Sequence, residues 1–168
     1  MLTKKARLFL SLTAATPLLF AAACTDNGIL NPLADAAGTY QLTVYAGKSL
    51  VAHYVIQPND PFFSAQAPNG GTLDVTDGSL ELNTNGTYLE INNYVITPND
   101  RPVVNSFFRS QGTWTMNVND EVTLSSQTEN RFVTATWTVD TSRGVETINY
   151  QEANGSGGQD SFEYARNR

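Results

Sequence analysis

Two residue types that commonly carry catalysis and cross-linking are almost missing from this chain of 168 residues. Cysteine occurs once, at Cys24, so no disulfide can form within the chain and no multi-cysteine metal site can be built. Histidine also occurs once, at His53, which leaves imidazole-based zinc, triad and general-base arrangements with a single ring. Because His53 alternates with Val51 and Val55, it reads as a solvated or locally hydrogen-bonded strand residue. Basic residues number 10 against 16 acidic ones, and Lys4, Lys5 and Arg7 stand at the very start. Without those three the formal charge of -6 becomes -9, a balance that a phosphate backbone repels. No basic cluster interleaved with aromatics follows, so nucleic acid is excluded as a partner. Nucleophile elbows, S-x-x-K, H-E-x-x-H and phosphate-binding loops are absent as well, so the sequence is read as a non-enzyme without a metal or other cofactor.

What is present begins with a leader. Lys4, Lys5 and Arg7 precede an apolar stretch from Leu8 to Phe20, interrupted by Ser11, Thr13, Thr16 and Pro17, and then comes Ala21-Ala22-Ala23-Cys24. That is the layout of a secretory signal, with an apolar zone too short for a transmembrane helix. The last four residues resemble the lipobox of bacterial lipoproteins, with Ala21 where leucine is usual. The resemblance implies removal of residues 1–23, lipidation of Cys24 and attachment to a membrane. An ordinary cut after A-x-A would instead leave Cys24 as an unpaired thiol, a liability that lipidation removes. Two acyl chains suffice for stable anchoring. Thr25, rather than Asp, resembles lipoproteins sorted to the outer membrane, so a lipid-anchored protein of the cell envelope is expected. Residues 24–37 then read as the lipidated cysteine and a flexible tether, rich in Asn, Asp, Gly and Pro and without period.

From residue 38 to 168 the pattern is that of one all-β domain. Short runs rich in Thr, Val, Tyr, Trp and Leu alternate apolar with polar between Gly, Asn and Asp. Strands are expected at 39–46, 49–57, 71–75, 79–83, 87–97, 107–118, 121–127, 131–140, 145–151 and 160–165. Asn85-Gly86 and Asn119-Asp120 tolerate the positive φ of tight hairpins, so neighbouring strands should pair in sequence order. The expected inward face collects Tyr40, Leu42, Leu80, Leu82, Leu89, Ile91, Trp114, Val118, Leu124, Val133, Ala135, Trp137, Ile148, Tyr150 and Tyr164, among others. A sheet of eight to ten strands with one apolar face must curl over to bury it, and an antiparallel meander barrel also removes exposed edges.

These runs resemble small bacterial lipocalin-like domains. The likeness is carried by Gly38-Thr39-Tyr40-Gln41-Leu42 with Ala46-Gly47-Lys48, by Gly78-Ser79-Leu80-Glu81-Leu82 through Asn85-Gly86-Thr87-Tyr88, by Gly112-Thr113-Trp114, and by Phe162-Glu163-Tyr164-Ala165-Arg166. It implies a lipocalin-like barrel, and leaves the ligand unspecified.

The most unusual feature is an internal echo. Tyr54-Val55-Ile56-Gln57-Pro58-Asn59-Asp60 recurs as Tyr94-Val95-Ile96-Thr97-Pro98-Asn99-Asp100, and each copy is followed by paired aromatics, Phe62-Phe63 and Phe107-Phe108. A meander puts both loops on one rim, where these four phenylalanines could cover the mouth, hold a small apolar ligand or meet an envelope protein. Good turn chemistry repeated by chance or duplication, with the rings plugging the barrel end, is the favoured account of the echo. Trp114 and Trp137 are further candidates to line a pocket, against core packing as the ordinary fate of an indole. Asp60, Asp100, Asn59 and Asn99 would offer oxygen ligands to calcium if the loops meet, although the spacing matches no calcium loop. The alternative functional class is an enzyme acting on an envelope polymer or lipid through Asp60, Asp100, Glu81 or Glu90, which requires two carboxylates to converge in a cleft. A purely structural surface protein is the third.

Overall fold

The computed structural model describes residues 32–153 and 158–167. Cys24, the expected leader at 1–23 and the tether up to residue 31 lie outside the described residues. A short helix, α1 (Pro32–Ala36), leads into ten strands: β1 (Gly38–Tyr45), β2 (Lys48–Ser49), β3 (Ala52–Ile56), β4 (Gly71–Leu82), β5 (Thr87–Pro98), β6 (Val104–Met116), β7 (Glu121–Ser126), β8 (Arg131–Asp140), β9 (Val145–Ala153) and β10 (Gln159–Asn167). All belong to one antiparallel sheet, in the order β2-β1-β10-β9-β8-β7-β6-β5-β4-β3. β1 pairs in addition with β4, Gly38 facing Leu82 and Gln41 facing Ser79, and this closes β1 and β4 to β10 into an eight-stranded lipocalin-like barrel. The expected fold class holds.

Three expected boundaries change. The strands expected at 71–75 and 79–83 are one, β4, because a bulge at Thr76 absorbs the extra residue between Val75 and Asp77 and pairing with β5 continues past it. The strand expected at 49–57 is two, because β2 pairs with β1 while β3 pairs with β4, so the chain crosses the barrel seam between them. The flexible tether expected through residue 37 ends earlier: α1 packs on the barrel, with Ala36 fully buried.

Buried positions alternate along β4, β5, β7, β8 and β9, and the buried set includes Tyr40, Leu42, Leu80, Leu82, Trp114, Val122, Leu124, Val133, Ala135, Ile148, Tyr150 and Tyr164. In β5 the expected face is reversed. Tyr88, Glu90, Asn92 and Ile96 are buried, and Leu89 and Ile91 are on the alternate, partly exposed face. Val118, also expected inside, lies beyond the end of β6 at 93% exposure.

The barrel has two unlike ends. One carries α1 with the β4–β5, β6–β7 and β8–β9 turns, and is closed by a polar lock. The Tyr40 hydroxyl donates to Ala36 O at 2.7 Å and accepts from Trp137 Nε1 at 3.1 Å. Arg166 stacks 4.6 Å over the Tyr40 ring, donates through Nη2 to Asp35 O at 2.6 Å, and pairs with the buried Glu146. The helix is thereby stapled to β1, β8, β9 and β10 at once. Replacing Tyr40 by Phe leaves the indole N–H and the Ala36 carbonyl short of a partner, so a loss of about 1–3 kcal/mol in urea unfolding is expected. Unchanged stability would mean that α1 is not held through this hydroxyl.

Candidate functional site

The opposite end carries the β3–β4 and β5–β6 loops, and there the second copy of the sequence echo meets the loop that follows the first. Asn99 N donates to Gly70 O at 3.0 Å and Asn99 Nδ2 to Asn69 O at 2.9 Å. Asn69 Nδ2 donates to Asp100 Oδ2 at 2.6 Å, and this bond, helped by Arg101, holds the Asp100 carboxyl below its usual range. Arg101 also reaches across to Ala65 O at 3.2 Å. Asp60 instead caps its own turn, accepting from Phe62 N at 2.9 Å. The two Pro-Asn-Asp segments therefore brace the rim as turn chemistry. Among the described residues no group of three or more His, Cys, Asp or Glu side chains is placed to hold a metal ion.

Inside this rim is a cavity of about 320 Å³. Its walls are Tyr45 of β1, Leu73 and Val75 of β4, Tyr94 of β5, Phe108 of β6 and Phe162 of β10, and the β3–β4 loop folds Phe62 and Phe63 over it. Asn92 and Glu152 complete the lining at its polar floor. The rings support one another: Phe162 meets Tyr45 edge-on at 5.1 Å and stacks on Tyr150 at 4.6 Å, and Tyr45 meets Tyr54 edge-on at 5.6 Å. Burial pushes the Tyr45 phenol up, with Asp160 adding to the rise by accepting its hydroxyl at 3.1 Å.

Beneath the floor is a charged layer in the middle of the barrel. Glu90 is fully buried, and its Oε1 accepts from Tyr150 at 2.6 Å, Tyr164 at 2.7 Å and Asn92 Nδ2 at 2.9 Å. Its Oε2 accepts from Arg131 Nη1 at 2.8 Å. Arg131 donates in turn to Glu152 through Nε at 2.9 Å and Nη2 at 2.8 Å, and to the Tyr150 hydroxyl at 3.1 Å. Burial by itself would lower the guanidinium pKa, but the bonds to Glu152 and the charge of Glu90 reverse that and hold it raised. Beside it the Ser110 hydroxyl bridges Tyr88 and Glu129, and bonds from Ser126 and Ser110 keep the Glu129 carboxyl low. Gly78 makes room for this layer: a Cβ there would come within 2.1 Å of Asn92 Oδ1.

Of the expected site residues, Phe62, Phe63 and Phe108 are on the cavity, although Phe108 reaches it from within strand β6 and not from a loop. Phe107 is outside, 61% exposed on the alternate face of the same strand. Trp114 and Trp137 do not line the cavity; they belong to the other half of the barrel, where Trp114 Nε1 donates to Asn83 O at 2.9 Å and Trp137 serves the lock around Tyr40. His53 pairs with Asp74 across β3 and β4 on the outer surface. Glu81 faces outward in β4, whereas Glu90 and Glu152 converge, both on Arg131. Sequence reading missed Asn92, Arg131, Glu152 and the role of Glu90. Comparison with family models, curated proteins and solved structures finds no match for this chain.

Burial, followed by the negative charge of Glu90, raises the phenol pKa values of Tyr150 and Tyr164 well above the usual 10.0. The unfolded chain releases these protons near pH 10 and the folded chain only higher. The stabilisation they give is therefore complete below about pH 10 and falls as pH rises past it. Urea unfolding between about pH 8 and pH 11 should show that decline, with a shallower slope for Tyr150→Phe. A flat profile accompanied by phenolate absorbance from the folded protein would contradict this account of the floor.

Proposed function

We propose that this chain is a lipid-anchored cell-envelope lipoprotein whose barrel binds a small molecule in the rim cavity and does not act on it chemically. The observation that carries the reading is the cavity itself: an opening of about 320 Å³ with aromatic walls over a polar floor, at one end of the barrel. Volumes of about 300–1,000 Å³ with mostly apolar linings and a few placed polar groups are typical of small-molecule sites. The resemblance to lipocalin-like domains supports the same reading. Against acid-base catalysis stands the engagement of both convergent carboxylates, Glu90 and Glu152, with one guanidinium. Asp60 and Asp100 are occupied in bracing the loops.

The described chain begins with α1 at the closed end, opposite the mouth. The chain enters the barrel through α1 at the closed end, and the residues from Cys24 to Pro32 reach at most about 28 Å even if fully extended. Lipidation of Cys24 would tether the barrel to a membrane surface through the segment that precedes α1. Cys24→Ala is expected to move the protein from the membrane fraction to the soluble one, and mass spectrometry of the wild-type N-terminal peptide to find a diacylglyceryl mass on Cys24. An unmodified thiol there would sink the anchor. For the cavity, the neutral fluorophore 1-N-phenylnaphthylamine should bind saturably with one site per chain, and Leu73→Trp, which fills the cavity with an indole, should weaken it by about tenfold or more at unchanged fold. Equal binding by the filled variant would place the probe elsewhere and remove the ground for this function.

A further inference from the structure

The chemistry around the cavity narrows the class of molecule it takes, on the reading that it is a binding site. Six rings border it: Tyr45, Tyr94, Phe108 and Phe162 from the strands, Phe62 and Phe63 from the loop. Ring faces are electron-rich, so a box of them attracts a cation more than a neutral body of the same shape. The molecule already uses two rings this way, one of them on the cavity, since the Arg131 guanidinium lies 5.3 Å over the Phe108 ring and 5.6 Å over that of Tyr150.

Charge points in the same direction. Among the described residues the one charged side chain on the lining is Glu152, a third exposed. Behind the lining are Glu90 and Arg131, so two carboxylates, Glu90 and Glu152, share one guanidinium. Four of the five N–H donors of Arg131 are directed to Glu90, Glu152 and Tyr150, and Asn92 Nδ2 donates to Glu90. The other rim cations are engaged elsewhere: Lys48 with His53 O and the Tyr54 ring, Arg101 with Asp100 and Ala65 O. A fatty acid or other anion entering the cavity would face the Glu152 carboxylate without a cation to receive it.

We propose that the rim cavity is a site for an organic cation, an ammonium group carried on a small apolar body, with the six rings enclosing it and the Glu152 carboxylate supplying the counter-charge.

The test uses three probes of nearly one shape on the full chain, followed by calorimetry: benzyltrimethylammonium, its neutral isostere neopentylbenzene, and the anion phenylacetate. The cation should bind about tenfold or more tighter than the neutral isostere, with the anion weakest. Glu152→Gln should bring the cation down to within a few-fold of the neutral probe. Phe62→Leu, which keeps apolar bulk on an exposed loop and leaves the Arg131 pairing intact, should weaken the cation several-fold and leave the neutral probe unchanged. Equal binding of cation and neutral isostere, or tightest binding of the anion, would overturn the ligand class while leaving a binding site. Failure of all three, together with 1-N-phenylnaphthylamine, would overturn the binding reading and this inference with it. Displacement of the bound cation by phosphatidylcholine vesicles would assign the ammonium to a lipid headgroup, and persistence against them to a soluble molecule.

Discussion

Everything in this structure follows from a short antiparallel ladder between β1 and β4, Gly38–Gln41 against Leu82–Ser79. That ladder turns an open meander into a ring and so gives the sheet an inside. Once the ring is closed, every inward side chain must be apolar or find its partner across the barrel, because water no longer reaches it. The contents are layered accordingly. The lock of Tyr40, Glu146 and Arg166 fills one end, an apolar core follows around Leu80, Leu124 and Ile148, then the layer of Glu90, Arg131 and Tyr164, and last the aromatic cavity.

The charged layer is a poor way to make a barrel stable. Desolvating a carboxylate and a guanidinium costs several kcal/mol for each ion, and well-packed apolar replacements of buried pairs are often no less stable. What the layer does provide is rigidity and a floor. Glu90 accepts four hydrogen bonds from four different side chains, on β5, β8, β9 and β10, so the strands beneath the cavity are tied at one carboxylate. The stacked column of Tyr164, Tyr150 and Phe162, with centroids 6.1 Å and 4.6 Å apart, carries that fixed position upward into the cavity wall.

The barrel was legible in the sequence because alternation, turn residues and the lack of helical period all agree. The cavity was legible in part, through the echo: Pro58-Asn59-Asp60 and Pro98-Asn99-Asp100 are on one rim as meander topology requires, and Phe62 and Phe63 follow the first of them. The charged layer escaped because hydrophobicity was used to choose the inward face of β5. Leu89 and Ile91 define that face when read alone, yet Tyr88, Tyr94 and Ile96 share the opposite parity with Glu90 and Asn92. A second signal was available in β8, where Arg131 has the parity of Val133, Ala135 and Trp137. An arginine on an inward face demands a buried carboxylate, and Glu90 was the inward acid waiting for it. No local pattern could have supplied Glu152, whose meeting with Arg131 is set by the register of β8 on β9.

The two halves of the seam differ in how they are fastened. Near the closed end β1 and β4 share a backbone ladder, but toward the mouth β1 carries β2, β4 carries β3, and those two short strands share no ladder with each other. The chain itself joins them by its crossing at Leu50 and Val51, and side chains add Tyr54 to the Tyr45 carbonyl and Lys48 to that of His53. Such a joint works like the slit in a collar: beyond the crossing at Leu50 and Val51 the ring is fastened beside Tyr45 by a few contacts where elsewhere it is fastened by ladders.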